Sequence, residues 1–210
     1  MKYRTVKLGD VITIQNGYGF KSTDFIDEGV PVLKIKNIKP NKILLDELSY
    51  ISEELANEKS QAVIQKNDIL ITMTGNRIDG SPDSWVGKVA LFNKKGKYML
   101  NQRISAIRVN EELADTRYIA YILSSWDSQL YFIKRANSSG GQANISPDIV
   151  NNLEIKLPSL EDQKKIAKIL EPFDSKIENM NEQLNTLSKM RINIFNQLID
   201  DNVELDKINI

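Results

Sequence analysis

The chain has 210 residues and balances 28 Lys+Arg against 28 Asp+Glu, with neither His nor Cys. That excludes disulfides, Cys or Cys/His zinc sites, thiol nucleophiles and a Ser-His-Asp triad, leaving carboxylates, Lys, Tyr or a carboxylate-held hard metal for any catalysis. A hydrophobic fraction of 41% supplies a core. No apolar run has the length of a bilayer span, and the polar opening Met1-Lys2-Tyr3-Arg4-Thr5-Val6-Lys7 does not read as a signal peptide. The expectation is a soluble, cytoplasmic chain.

In chain order, short apolar runs at residues 11–14, 32–38, 69–73, 86–92, 99–109 and 153–157 predict strands. Leu153-Glu154-Ile155-Lys156-Leu157 alternates, which buries one face and wets the other. Turn residues separate the runs, among them Asn16-Gly17, Lys39-Pro40-Asn41, Asp79-Gly80-Ser81-Pro82-Asp83 and Ser138-Ser139-Gly140-Gly141. Two helices interrupt the strands: a short one at 52–59, capped by Ser52, and a longer one at 118–133. Ile119, Ile122, Leu123, Trp126 and Leu130 form the apolar stripe of the second.

After Pro158 the period becomes 3.5. Ser159 is placed to cap a helix, with Asp162 three residues on. Ile166, Leu170, Phe173, Ile177, Met180, Leu184, Leu187, Arg191, Ile194 and Leu198 then follow a 4-3 spacing. A helix over 161–199 would be about 58 Å long and needs a partner helix along this seam. Pro172 removes one backbone donor, so a kink or break near Glu171 is expected, with Asp174 capping a principal helix over 173–199. The division predicted is a domain over 1–158, a helical segment over 159–199 and a tail over 200–210. The fold class is α+β: a mixed, β-rich domain followed by a long C-terminal helix. Charge follows the same division. Residues 1–158 hold 21 basic and 18 acidic side chains, and residues 159–210 hold 7 and 10. Only the first part has the sign that suits an anion.

Several motifs, in order, resemble the specificity subunits of type I restriction-modification enzymes. They are Leu8-Gly9-Asp10-Val11, Gly17-Tyr18-Gly19-Phe20-Lys21-Ser22, Gly29-Val30-Pro31-Val32-Leu33-Lys34-Ile35 and Asn37-Ile38. Asp68-Ile69-Leu70-Ile71-Thr72, Thr74-Gly75, Gly87, Leu100-Asn101-Gln102-Arg103 and Ile145-Ser146 continue the series. Leu157-Pro158-Ser159-Leu160-Glu161-Asp162-Gln163-Lys164-Lys165-Ile166 closes it. The resemblance implies a target-recognition domain that reads half of a split duplex-DNA site, followed by a spacer helix that packs in an antiparallel coiled coil. A full subunit of that family has two such domains and two helices; this chain holds one of each. A homodimer or a second half-subunit would supply the rest. Methyl transfer and DNA cleavage, with S-adenosylmethionine, ATP and Mg, would belong to methyltransferase and restriction/translocase partners, and this chain would bind no cofactor.

Phosphate contacts need Lys, Arg or exposed amides, while base reading favours Arg, Asn, Gln and Lys. The stretch 74–85 offers Asn76, Arg77 and Ser84, or is a solvated turn with Trp85 in the core. Lys134, Arg135, Ser139, Gly140, Gly141, Gln142 and Asn144 form a second candidate group, although Lys134 and Arg135 also suit a helix end. Asn101 and Arg103 form a third, with Gln102 turned inward if the stretch is a strand interior. Lys94 and Lys95 read as a hairpin tip or a phosphate clamp; Tyr18, Lys21, Lys34 and Lys36 are further backbone contacts. Two rival readings remain at this point. Pro147-Asp148 with Glu154-Ile155-Lys156 formally matches a Mg²⁺-dependent nuclease using Asp148, Glu154 and Lys156. The other rival is a coiled-coil adaptor that binds protein and no DNA.

Overall fold

The computed structural model describes residues 2–77, 81–139 and 141–200. Two compact units divide the chain, Met1–Lys165 and Ile166–Ile210. The first opens with β1 (Tyr3–Lys7), β2 (Ile12–Asn16), β3 (Val30–Leu33), β4 (Ile38–Lys39), β5 (Lys42–Ile43) and β6 (Ser49–Ile51). Helix α1 (Glu53–Glu58) precedes β7 (Ile69–Thr72), β8 (Thr74–Gly75), β9 (Val89–Leu91), β10 (Met99–Leu100) and β11 (Ile104–Val109). There follow α2 (Thr116–Ser124), α3 (Trp126–Arg135), β12 (Asn137–Ser139), β13 (Gln142–Asn144), α4 (Pro147–Asn151) and β14 (Glu154–Pro158). Helix α5 (Leu160–Asp200) closes the described chain.

The central sheet runs β2-β11-β7-β9 and is antiparallel throughout. Its strand β7 reads Ile-Leu-Ile-Thr without alternation because both faces are covered. Ile69 and Ile71 join a cluster with Ile119, Leu123 and Phe132 of α2 and α3, whereas Leu70 joins Leu33, Ile38 and Phe92 on the other face. Behind this sheet stand β10-β3-β6, with β10 parallel to β3, and the ribbon β4-β5. Arg108 of β11 grips the buried Asp68 carboxylate through Nε and Nη2 at 2.9 and 3.1 Å, and donates to Gln15 from Nη1 at 2.6 Å. The bidentate pair fixes the turn that enters β7.

Three sequence expectations change, and one strand is added. The 32–38 run is not one strand: after β3, residues Ile35–Asn37 form a 3₁₀ turn held by Asn37, whose Oδ1 accepts from the Lys34 amide. The 99–109 run is cut at Asn101-Gln102-Arg103 because β10 and β11 belong to different sheets. The 118–133 helix is two helices. Ser125 ends α2 and caps α3, its Oγ accepting from the Ser128 amide, and Trp126 is turned half out to solvent. Strand β1 had no expectation; it pairs with β14, whose alternation does place Ile155 and Leu157 inward and Glu154 and Lys156 outward.

Helix α5 begins as expected, with Ser159 Oγ accepting from the Asp162 amide. Gln163 is fully buried and anchors that first turn: its Oε1 accepts from the Asp115 amide at 2.8 Å, and its Nε2 donates to Pro158 O at 3.0 Å. The expected break at Pro172 does not occur. The helix runs unbroken for 41 residues, and Asp174 lies in its interior instead of capping a new start. Proline costs one amide donor there, and Lys168, whose carbonyl it orphans, is exposed to water. In the second unit Phe173, Ile177, Met180, Leu184, Leu187 and Ile194 are all exposed, so the seam has its apolar face uncovered within this single chain. Residues 201–210 of the proposed tail lie outside the described residues.

Candidate nucleic-acid interface

Three stretches distant in sequence meet around Met73. The Met73 amide donates to Arg103 O, and Met73 O accepts from the Ile145 amide, both at 2.9 Å. One residue later β8 pairs with β13, which pairs with β12. Thr74 Oγ1 donates to Asn144 Oδ1 at 2.7 Å, locking that register. Asn76 and Ser84 are thereby placed beside the Gln142–Asn144 strand, and Arg103 reaches across to it, Nη1 donating to Gln142 Oε1 at 2.6 Å. That partner is a neutral amide, so the contact orients the guanidinium without neutralising it.

Tyr18 joins from a fourth stretch. Its amide donates to Leu100 O and its carbonyl accepts from the Gln102 amide, each at 2.9 Å. Gly17 permits this approach: a Cβ there would lie 2.2 Å from Asn101 O. Residues 101–103 therefore form a hydrogen-bonded turn and not a strand interior, and Gln102 and Arg103 are both exposed while Asn101 is half-buried. Lys59, which the sequence did not single out, sits over the Tyr18 ring, Nζ 4.9 Å from its centroid. The Glu58 carboxylate beside it, as a hydrogen-bond partner, raises its pKa.

Other candidates stand apart or are engaged within the protein. The Arg77 guanidinium donates to Ile133 O at 3.0 Å, to Ala136 O at 2.5 Å and to Ser138 Oγ at 3.0 Å, closing the C-terminal end of α3. Asn76 Nδ2 donates to Ser84 Oγ, and Ser84 Oγ to Ser81 O. Trp85 is buried, against the Trp126 ring, which is the core placement. Arg135 stacks on Tyr131 and Lys134 is exposed, both in the last turn of α3. Lys36 pairs with Glu47 at 3.1 Å, Lys21 is exposed beside a turn that its own amide closes on Asp24, and Lys34 lies over the Phe25 ring. Lys95 is exposed and Lys94 half-buried, next to Gly96 at φ +102°. Gly141 adopts φ +78° at the tip of the β12–β13 hairpin. Gly140, the Ser139 side chain and residues 78–80 of the 74–85 stretch lie outside what is described.

Lys88 was not foreseen. It is buried, and its Nζ donates to Asp83 O at 2.6 Å, with Lys39 Nζ 4.0 Å from the Asp83 carboxylate. Burial first, and then Lys39, lowers its pKa to about 8, against the opposing pull of Asp83. No sequence signal marks it, because a Lys between Gly87 and Val89 reads as a wet strand position.

The nuclease constellation is not assembled. Asp148 lies in the first turn of α4, capped by Ser146, while Glu154 and Lys156 face outward on β14. Among the described residues, no three acidic side chains gather as a metal site.

Known proteins agree with this architecture. The chain is 28% identical over 210 residues to the type I restriction enzyme MjaVIII specificity subunit of Methanocaldococcus jannaschii, covering 99% of this chain and 48% of that one. It is 21% identical over 176 residues to the EcoBI specificity subunit of Escherichia coli, covering 84% and 35%. The chain thus spans about half the length, or less, of the curated relatives it matches. Its fold is shared with the type I restriction-modification S subunit from M. genitalium, at TM-score 0.66, 17% identity, and 94% and 46% coverage. The HsdS subunit from Thermoanaerobacter tengcongensis matches at TM-score 0.56, 18% identity, and 93% and 44% coverage. The model of the type I restriction modification DNA specificity domain matches residues 1–189, and the chain belongs to that family.

Proposed function

We propose that this chain reads one half of a bipartite duplex-DNA sequence for a restriction-modification system. The observation that carries the reading is the surface where Asn76, Asn101, Arg103, Gln142, Asn144 and Tyr18 come together from four separate stretches. Amide and guanidinium groups are the side chains that discriminate base edges, and here a folded sheet positions them. Gly141, exposed in the same hairpin as Gln142, suits a phosphate contact, as do the exposed Lys21, Lys95 and Lys134 elsewhere on the domain. The chain itself performs no chemistry and binds no cofactor. Methylation with S-adenosylmethionine, and ATP- and Mg-dependent restriction, fall to partner subunits in the cytoplasm.

The uncovered seam of α5 supplies the second half-site reader by pairing with another copy or another half-subunit as an antiparallel coiled coil. Two identical copies related by a two-fold axis would read inverted half-sites, the helix setting the gap between them. Met190, Ile192 and Phe195 widen the apolar face, and all three are exposed, which suits a methyltransferase partner.

Selection from a randomised duplex library, combined with a salt titration, tests the reading. One split sequence should be enriched, and log K should fall steeply with log salt. Enrichment of nothing with salt-independent binding would leave the adaptor in place instead.

A further inference from the structure

We propose that Arg77 and Lys88 are positioning residues for DNA recognition: they fasten the two ends of the 76–85 stretch to the folded domain, and neither acts as a contact to DNA. The inference rests on the reading of this surface as a DNA-recognition surface.

The geometry at the first end spends the directed donors of Arg77 on protein acceptors. Both Nη atoms are engaged, by two carbonyls at the end of α3 and by a hydroxyl of the hairpin that carries Gln142. A base-reading arginine needs both Nη donors, or one Nη and Nε, presented as a fork to one base edge. Here the fork is turned inward, and the residue is half-buried. The helix end gains from it, because the last carbonyls of α3 have no partner in their own helix. The consequence for the surface is registration: Asn76, next in the chain, is tied through Arg77 to β12.

At the second end, residues Pro82–Ser84 form a 3₁₀ turn whose Asp83 carbonyl receives the Lys88 ammonium. Asp83 also faces Lys39. The two ends are then joined: the Asn76 amide donates to Ser84 O at 2.8 Å and the Val86 amide to Asn76 O at 3.0 Å. A stretch fastened in this way offers Asn76 and Ser84 in one place, which lowers the ordering cost of binding.

The test uses the full chain with Arg77→Gln, Ser138→Ala and Lys88→Met. In the absence of DNA, amide hydrogen exchange at residues 74–77 and 137–144 should accelerate about tenfold in Arg77→Gln, with exchange in β7 unchanged. Ser138→Ala should give a smaller acceleration at the same amides, and Lys88→Met an acceleration at 82–86. With DNA, the selected half-site should lose preference at more than one base pair. The slope of log K against log salt should hold within about half a unit, since one lost phosphate contact removes about 0.9. Unchanged exchange would overturn the fastening, and a slope reduced by about one or loss at a single base pair would overturn the proposal by making Arg77 a DNA contact. If Arg77→Gln fails to fold, seen as fast exchange in β7, the other two variants decide it in the same way. If the wild type enriches no sequence, the DNA reading falls, while exchange in the free chain still decides the fastening.

Discussion

Among the described residues, Lys88 carries the clearest pH signature. Its folded pKa of about 8 lies below the ordinary 10.5, so the unfolded chain holds its proton more tightly across that interval. The cost of burying the ammonium is therefore complete below pH 8 and is relieved as pH rises from 8 to 10.5. Relative to Lys88→Met, wild-type stability should rise by about 3 kcal/mol over that window, at 1.36 kcal/mol per pKa unit. Denaturant melts at several pH values measure this, and parallel profiles for the two proteins would refute it. Gly17 gives a second prediction. A methyl group there meets only backbone, Asn101 O and C and Leu100 O. Gly17→Ala should cost about 2–3 kcal/mol and lower the melting temperature. The importance of Gly17 is visible in its sequence motif but its reason is not, because the clash comes from a turn more than 80 residues away. Lys88 has no sequence signal at all, because its burial depends on strands and turns packed from elsewhere.

Among the elements, the short helices and turns repay their local signals unevenly. Ser52 and Ser159 cap α1 and α5 as their positions promise. The Ser125 cap is written just as locally, yet the continuous apolar stripe of 118–133 hides it; of that stripe Ile119, Ile122 and Leu123 pack in the core, while α3 contributes Phe132 and Ile133 and leaves Trp126 exposed. The 99–109 run misleads for a different reason. Periodicity reports burial, and both β10 and β11 are buried, so only the change of sheet at 101–103 separates them. Gln163 shows what an element owes to its neighbours. Gln163→Leu would keep the volume but strand the Asp115 amide, the residue that caps α2 through Oδ1. A loss of about 1–3 kcal/mol is expected, with α2 amides exchanging faster. Likewise, a chain ending at Lys165 should melt higher than one ending at Pro158, because only the longer one keeps Gln163; equal melting temperatures would show that the anchor is dispensable.

For the molecule as a whole, the exposed seam of α5 makes the state of association the decisive measurement. Phe173 and Leu187 are 66% and 61% exposed, and a charge on that face should be incompatible with a paired helix. Ile177→Lys with Leu184→Lys should convert a dimer to a monomer in sedimentation equilibrium and leave the melting temperature of the first unit within a few degrees. A wild type that is already monomeric at tens of micromolar would overturn a homodimer through this face. Sequence alone determined the division into a β-rich head and a long helix, the helix's 3.5-residue seam, the order of family motifs and the absence of His and Cys chemistry. These are properties of period and composition, which local sequence carries. The tertiary structure decided which polar side chains share a surface. Arg103 meets Gln142 because β8 pairs with β13, whereas Arg77, equally polar and directly next to Asn76 in sequence, is spent on a helix end. A side chain's free donors are what remain after packing has claimed its share, and packing is settled between residues far apart in the chain.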